Sequence, residues 1–252
     1  MDRFTKTGEP DALARFEAEA DGLAALRATG TVRVPEVLSC GLVDGRSRIE
    51  LEYLDLCGLD RASGAELGRR LAELHRHTGE RFGWATDNFI GGSPQENTRR
   101  DNWALFYADR RLRPQLRWAR GNGMERKLAD MGESLAERLP AFFVDYQPRA
   151  SLLHGDLWSG NASALADGTP VIFDPAVHFG DREADIAMSE LFGGFPESFY
   201  ASYRLASPLD AGYETRKTLY NLYHVLNHFN LFGAGYLGQA RRMIEKLLAE
   251  LK

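Results

Sequence analysis

The hydrophobic pattern changes character along the chain. Residues 3–7, RFTKT, alternate and predict a short strand. Residues 11–28 then place Leu13, Phe16, Leu23 and Leu26 at helical spacing. TVRVPEVLSCG (31–41) reads as extended and bent at Pro35, and RIELEYLDL (48–56) as a strand running into a linker. Over residues 63–78, Leu67, Leu71 and Leu74 recur at helical spacing, with Ser63 or Gly64 as the expected cap. Residues 79–100 are rich in Gly, Asn and Pro and predict a long loop. Helical segments are expected to about residue 147. SLLH (151–154) and VIFD (171–174) are short apolar runs that each end in a polar residue, and they predict a pair of short strands separated by a loop. The remainder is helical, with Leu219, Leu222, Tyr223, Leu226 and Phe229 forming one apolar stripe. Strand candidates thus crowd the first 54 residues and helices fill the other 198, which predicts an α+β chain of two domains, 1–54 and 55–252.

Composition removes several function classes. The chain has 252 residues with 44% hydrophobic and 27% charged positions, ordinary values for a globular protein with its own core. A net charge of −5 argues against a general grip on nucleic acid or an anionic membrane. The local exception is Arg99, Arg100, Arg110, Arg111, Arg113, Arg117 and Arg120, faced only by Asp101 and Asp109 in that window; a solvated face is expected there. The two cysteines, Cys40 and Cys57, have no metal spacing and suggest a reducing compartment, with burial the expected state of both. The N-terminal segment is polar and acidic, unlike a signal peptide, and no apolar run approaches the roughly 20 residues of a membrane helix. The expected location is cytoplasmic.

One constellation carries chemistry. His154-Gly-Asp-Leu-Trp-Ser-Gly-Asn161 is followed by Ile172-Phe-Asp-Pro175, so Asp156 and Asn161 lie five apart and Asp174 eighteen beyond Asp156. Both acids end or follow a short strand. Phosphoryl transfer needs these groups at this spacing. Asp156 would accept the proton of an attacking hydroxyl. Asn161 and Asp174 would supply hard oxygen ligands for Mg²⁺. The nucleotide phosphates also need a cation, and Lys6, on a strand, with Glu19 on the next helix, forms the expected pair; Glu17 is the rival partner. Adenine would be held by backbone groups near Glu52 and Leu54, where the strand runs into the linker. Gly233-Ala-Gly-Tyr-Leu-Gly238 is formally GxGxxG but follows a helix, and reads as a helix–helix turn. His224 and His228, four apart on a helix, read as a packed or hydrogen-bonded pair rather than a metal site.

These residues resemble the aminoglycoside phosphotransferase and choline kinase branch of the protein-kinase-like fold, and more closely the fructosamine kinase (ketosamine 3-kinase) family. The resemblance is carried by Phe16-Glu-Ala-Glu19-Ala-Asp-Gly-Leu23, Leu51-Glu-Tyr-Leu-Asp55, Asn88-Phe-Ile-Gly91 with Gln95 and Asn97, the HGDLWSGN run, and Asp174-Pro-Ala-Val-His-Phe-Gly-Asp-Arg-Glu-Ala-Asp185-Ile-Ala-Met188. It implies a two-lobed kinase using ATP and Mg²⁺ to phosphorylate a sugar hydroxyl of ketosamines, free or on protein lysines, in deglycation. It further implies Asp185 as an organiser of the catalytic loop, and Trp158, His178, Asp181 and Asn88 as residues lining the substrate. The family has strands and a Gly-rich loop ahead of the Lys strand, whereas five residues precede Lys6 here, so the first lobe is expected to be shortened. An aminoglycoside- or choline-type kinase, and a truncated pseudokinase acting as a binding module, are the alternative functions.

Overall fold

The computed structural model describes residues 2–251. Its elements run β1 (Arg3–Gly8), α1 (Leu13–Ala28), β2 (Val37–Val43), β3 (Arg46–Glu52), β4 (Leu56–Cys57), α2 (Arg61–Leu74), β5 (Asn88–Ile90), β6 (Ser93–Gln95), α3 (Trp103–Tyr107), α4 (Arg113–Gly121), α5 (Arg126–Arg138), β7 (Ser151–Leu153), β8 (Ala162–Leu165), β9 (Pro170–Ile172), β10 (His178–Gly180), α6 (Glu183–Leu191), α7 (Glu197–Ala206), α8 (Tyr213–Phe232) and α9 (Leu237–Glu250). The chain folds into two compact units. The first comprises residues 1–78, 151–178 and 189–208, and the second residues 79–150, 179–188 and 209–252. These units are divided differently from the 1–54 and 55–252 domains expected from patterning: α7 packs on α2 and β8 pairs with β4, which keeps residues 55–78, 151–178 and 189–208 with the N-terminal segment.

In the first unit β1, β3 and β2 form an antiparallel sheet in that order. Its register sets Lys6 opposite Ile49, and Ile49 opposite Cys40, so the three share a face. Helix α1 buries Phe16, Leu23 and Leu26 of the stripe read from sequence, while Leu13, at its first turn, is half-buried. Gly22 lets this helix approach the 175–177 segment: a Cβ there would meet Pro175 Cγ at 3.1 Å and Val177 Cγ2 at 3.3 Å. Helix α2 begins at Asp60, not at Ser63 or Gly64. Asp60 accepts the Ser63 N–H at 2.8 Å while Ser63 Oγ accepts the Asp60 N–H at 2.9 Å, a reciprocal capping box. The SLLH and VIFD runs do form strands, but not with each other: β9 pairs with the intervening β8, and β8 also pairs with β4. Cys40 is half-buried, and Cys57 is exposed rather than buried, its thiol 3.3 Å from the Ala164 carbonyl.

In the second unit the expected long loop contains a hairpin, β5–β6, with Asn88 opposite Gln95. Helices α3 and α4 are joined through a π turn at Ala108–Leu112. This turn directs Arg111 inward, so the arginine window is not wholly a solvated face. Arg111 is 1% exposed. It donates to the Glu96 carbonyl at 2.5 Å and to Asn97 Oδ1 at 2.7 Å, and its guanidinium lies 4.8 Å from the Phe106 ring centre. Burial pulls its pKa below the ordinary value. The other arginines of the window include half-buried ion pairs such as Arg113 with Asp109. Helix α8 buries Leu219, Leu222, Tyr223, Leu226 and Phe229. Gly233, at φ 90°, ends it and opens the turn into α9, so the formal GxGxxG is a helix–helix connection. His228 Nδ1 donates to the His224 carbonyl at 2.8 Å. Among the described residues no helix is long and apolar enough to cross a membrane.

Candidate active site

Five of the expected residues gather within the first unit. Lys6 projects from β1 and reaches Glu19 Oε1, on α1, at 2.8 Å and Asp174 Oδ1, just past β9, at 2.5 Å. Burial opposes the lysine's charge, but the two carboxylates outweigh it and hold its pKa above the ordinary value. Burial raises the Glu19 carboxyl, and Lys6 partly offsets that rise. Glu19 is therefore the partner of Lys6, as expected over Glu17. Asp174 itself sits at φ 56°, in the left-handed region that non-glycine residues adopt at a cost.

The HGD loop is tied to the Asp174 segment through the main chain. His154 Nε2 donates to the Phe173 carbonyl at 2.9 Å, while its Nδ1 accepts the Asp156 N–H at 3.2 Å. That pattern fixes a neutral imidazole with the proton on Nε2. The Phe173 N–H donates to the Asn161 carbonyl at 3.1 Å, and the Ala176 N–H to the His154 carbonyl at 2.8 Å. Gly155 permits this closeness. Its φ is 84°, and a Cβ there would lie 2.1 Å from the Ala176 carbonyl oxygen. Asn161 Nδ2 donates to the Asp156 carbonyl at 2.9 Å and to Asp156 Oδ2 at 3.2 Å. The amide nitrogen thus restrains the Asp156 carboxylate. The bridging role of His154 escapes sequence reading, because the motif gives its identity but not the strand end it reaches.

The remaining expected residues are placed as follows. Trp158, in the HGD loop, is 36% exposed. Glu52 holds Arg33 through both carboxylate oxygens at 2.5 Å, and its N–H donates to the Glu36 carbonyl at 2.8 Å. Leu54 is half-buried between β3 and β4. His178 is buried, with Nδ1 3.2 Å from the Ala176 carbonyl. Asp181 belongs to the second unit and is 1% exposed. It accepts from Tyr146 at 2.9 Å, from Tyr220 at 2.5 Å and from the Glu183 N–H at 3.0 Å. Burial nevertheless raises its pKa. Asn88 is also buried in that unit, and its Oδ1 accepts from Gln95 Nε2 and Asn97 Nδ2, both at 2.8 Å. These amides bond to one another. Gln95 Oε1 in turn accepts from Tyr223 at 2.8 Å. Asp185 is buried in the first turn of α6.

The donor types near Lys6 suit a hard cation. An amide oxygen from Asn161 and a carboxylate oxygen from Asp174 are the ligand kinds Mg²⁺ takes when phosphates complete its shell. Among the described residues no cluster of three His, Cys, Asp or Glu forms a metal cage by itself.

A ketoamine kinase of Synechocystis sp., so named as probable, is 46% identical over 248 residues, covering 97% of this chain and 82% of the relative. A chloroplastic protein-ribulosamine 3-kinase of Arabidopsis thaliana is 44% identical over 252 residues, covering 99% and 77%. The crystal structure of a candidate fructosamine-3-kinase from Haemophilus somnus 129PT superposes with a TM-score of 0.90 at 32% identity, covering 98% and 83%. More distant choline/ethanolamine kinase family and aminoglycoside phosphotransferase structures, with TM-scores of 0.60 and 0.51, share the fold alone. The fructosamine kinase model matches residues 1–250. With the Lys6–Glu19–Asp174 bridge and the HGD loop tied to it, the match places the chain in a family by more than its motifs: it belongs to the fructosamine kinases, on a protein-kinase-like fold.

Proposed function

We propose that this chain transfers the γ-phosphoryl group of ATP to a sugar hydroxyl of a ketosamine, the rearranged adduct of a sugar with an amine, and so acts in deglycation. The observation that carries this reading is the Lys6 ammonium held between Glu19 and Asp174 at 2.8 and 2.5 Å. That arrangement presents one fixed positive charge to a nucleotide's phosphates. The adenine contact is assigned to the backbone at Leu54, since the Glu52 N–H and carboxylate are engaged by Glu36 and Arg33.

Asn161 and Asp174 would hold Mg²⁺, which when bound supplies charge stabilisation to the transferring group. The protein's own residues do the rest. Asp156 accepts the proton of the attacking hydroxyl. Asn161 Nδ2, 3.2 Å from Asp156 Oδ2, restrains one carboxylate oxygen and directs the other to the acceptor. His154 fixes the main chain beneath both, so the base is oriented before substrate arrives. The test is ATP consumption with fructose- or ribulose-modified lysine, wild type against Asp156→Ala. The variant is expected to lose roughly 10²- to 10⁴-fold in kcat. Equal turnover by the two proteins would sink the assignment.

A further inference from the structure

We propose that Phe192 is a positioning residue for the acceptor, setting the orientation of the Trp158 ring two residues beyond the base. The proposal rests on the reading of Asp156 as that base. All the groups involved lie in the first unit.

Trp158 is held from two sides. The Phe192 ring meets it edge-on, with centroids 6.4 Å apart and planes at 81°. Across its benzo edge lies Gly160, where a Cβ would stand 2.3 Å from Trp158 Cη2. The indole can lie there only because residue 160 has no side chain. A third tie joins the same segments: Ser159 Oγ donates to the Phe192 carbonyl at 3.1 Å. An aromatic ring that is still 36% exposed beside a base is suited to the C–H face of a sugar, provided that it stays in one posture.

Phe192 can impose that posture only if its own loop is held. The loop between α6 and α7 turns through Gly193 at φ 90° and Gly194 at φ 72°, a pliant pair. A single side chain on α7 clamps it on both sides. The Tyr200 hydroxyl donates to the Ser189 carbonyl at 2.9 Å and accepts the Phe195 N–H at 3.0 Å. The pliant glycines are thereby enclosed between two fixed points, with Phe192 beside them. Tyr200 acts on the loop, the loop on Phe192, and Phe192 on Trp158; none of the first three touches the reacting atoms.

The experiment is a double-mutant cycle on the full chain. Phe192→Ala is expected to raise KM for fructose-modified lysine roughly 3- to 10-fold, the scale of one edge-to-face pair, with KM for ATP unchanged. Phe192→Tyr restores the wild-type value. Phe192→Leu, which keeps apolar volume at this half-buried position, reproduces the Ala effect without loss of fold. In a Trp158→Ala background, Phe192→Ala adds nothing further. Tryptophan emission gives an independent signal: Phe192→Ala shifts it in wild type, and not in a Trp158→Phe background that retains Trp84, Trp103 and Trp118. Multiplicative effects in the double mutant, an equal rise in KM for ATP, or an emission shift that persists without Trp158 overturns the proposal. If wild type turns over no ketosamine, the kinase reading falls and this acceptor role with it. If wild type is active and the double mutants are multiplicative, the Phe192 proposal alone fails.

Discussion

The middle residue of the HGD motif offers a sharp test of how the site is built. Gly155 sits at φ 84°, and a Cβ there would lie 2.1 Å from the Ala176 carbonyl oxygen. Replacing it with alanine imposes two separate costs. The left-handed backbone costs a side-chain-bearing residue about 1–2 kcal/mol. The carbonyl must also retreat by about 1 Å to reach an ordinary contact near 3.2 Å, which strains the 2.8 Å bond from the Ala176 N–H to the His154 carbonyl, worth about 1 kcal/mol. Gly155→Ala is therefore expected to lower unfolding free energy by about 2–3 kcal/mol, read from the urea midpoint at constant slope. The same displacement moves Asp156 relative to Asp174. Misplacement of reacting groups by about 1 Å costs on the order of 100-fold in turnover, so kcat should fall by that much even where the variant is fully folded. A variant with wild-type midpoint and wild-type turnover would refute the idea that this glycine holds the two loops together.

Two further substitutions test His224, in the second unit, and Asp174, in the first. Burial, with His228 adding to it, lowers the His224 pKa from 6.5 to about 3. Below pH 6.5 the unfolded chain takes up a proton that the folded chain refuses, so this stability is present at pH 7 and lost progressively as pH falls. At pH 5 the loss is about 2 kcal/mol; urea unfolding of wild type and His224→Gln at pH 7 and 5 isolates it, and identical pH dependence in the two would contradict it. Asp174→Gly relieves a non-glycine φ of 56° while removing a partly exposed partner of Lys6. Its unfolding free energy should stay within about 1 kcal/mol of wild type while turnover drops at least about 100-fold, and a large loss of stability would show that the residue's role is structural.

Much of the candidate site was legible because its residues lie in contiguous runs. Asp156, Asn161 and Asp174 share short segments whose strand ends fix their direction. Lys6 and Glu19 follow from strand-then-helix patterning, and their 2.8 Å bond agrees with that reading. Two misread local features had signals in plain view. The two-glycine break at Gly91-Gly92, between Ile90 and Ser93, marks the β5–β6 hairpin, with Gly91 at φ 57°. Asp60-Arg-Ala-Ser63 carries the reciprocal cap that Ser63 alone cannot make. The other differences depend on distance in space. Nothing near Arg111 announces that an arginine will be buried against backbone carbonyls and an aromatic face. Strand β8 was hidden because its four residues, ASAL, carry no strong pattern and are fixed by neighbours on both sides. Phe192 and Tyr200 lie more than thirty residues from Trp158, so their link to it exists only after folding.

The π turn at Ala108–Leu112 has a consequence for how this chain can be edited. Such a turn is one residue longer than the α-helical turn it replaces. Deleting a single residue there would close the turn to regular helix with little rotation downstream, since about five residues of π turn span nearly the same angle as about four of α-helix; deleting one from the regular helix ahead of it would instead rotate everything downstream by about 100°. Leu112, Gln115 and Leu116, all buried, would swing away from their contacts, including the 3.2 Å bond from Gln115 Nε2 to Asn227 Oδ1. The stretch from Trp103 to Gly121 can therefore give up one residue within the π turn, whereas the length of the regular helix on either side of it is fixed.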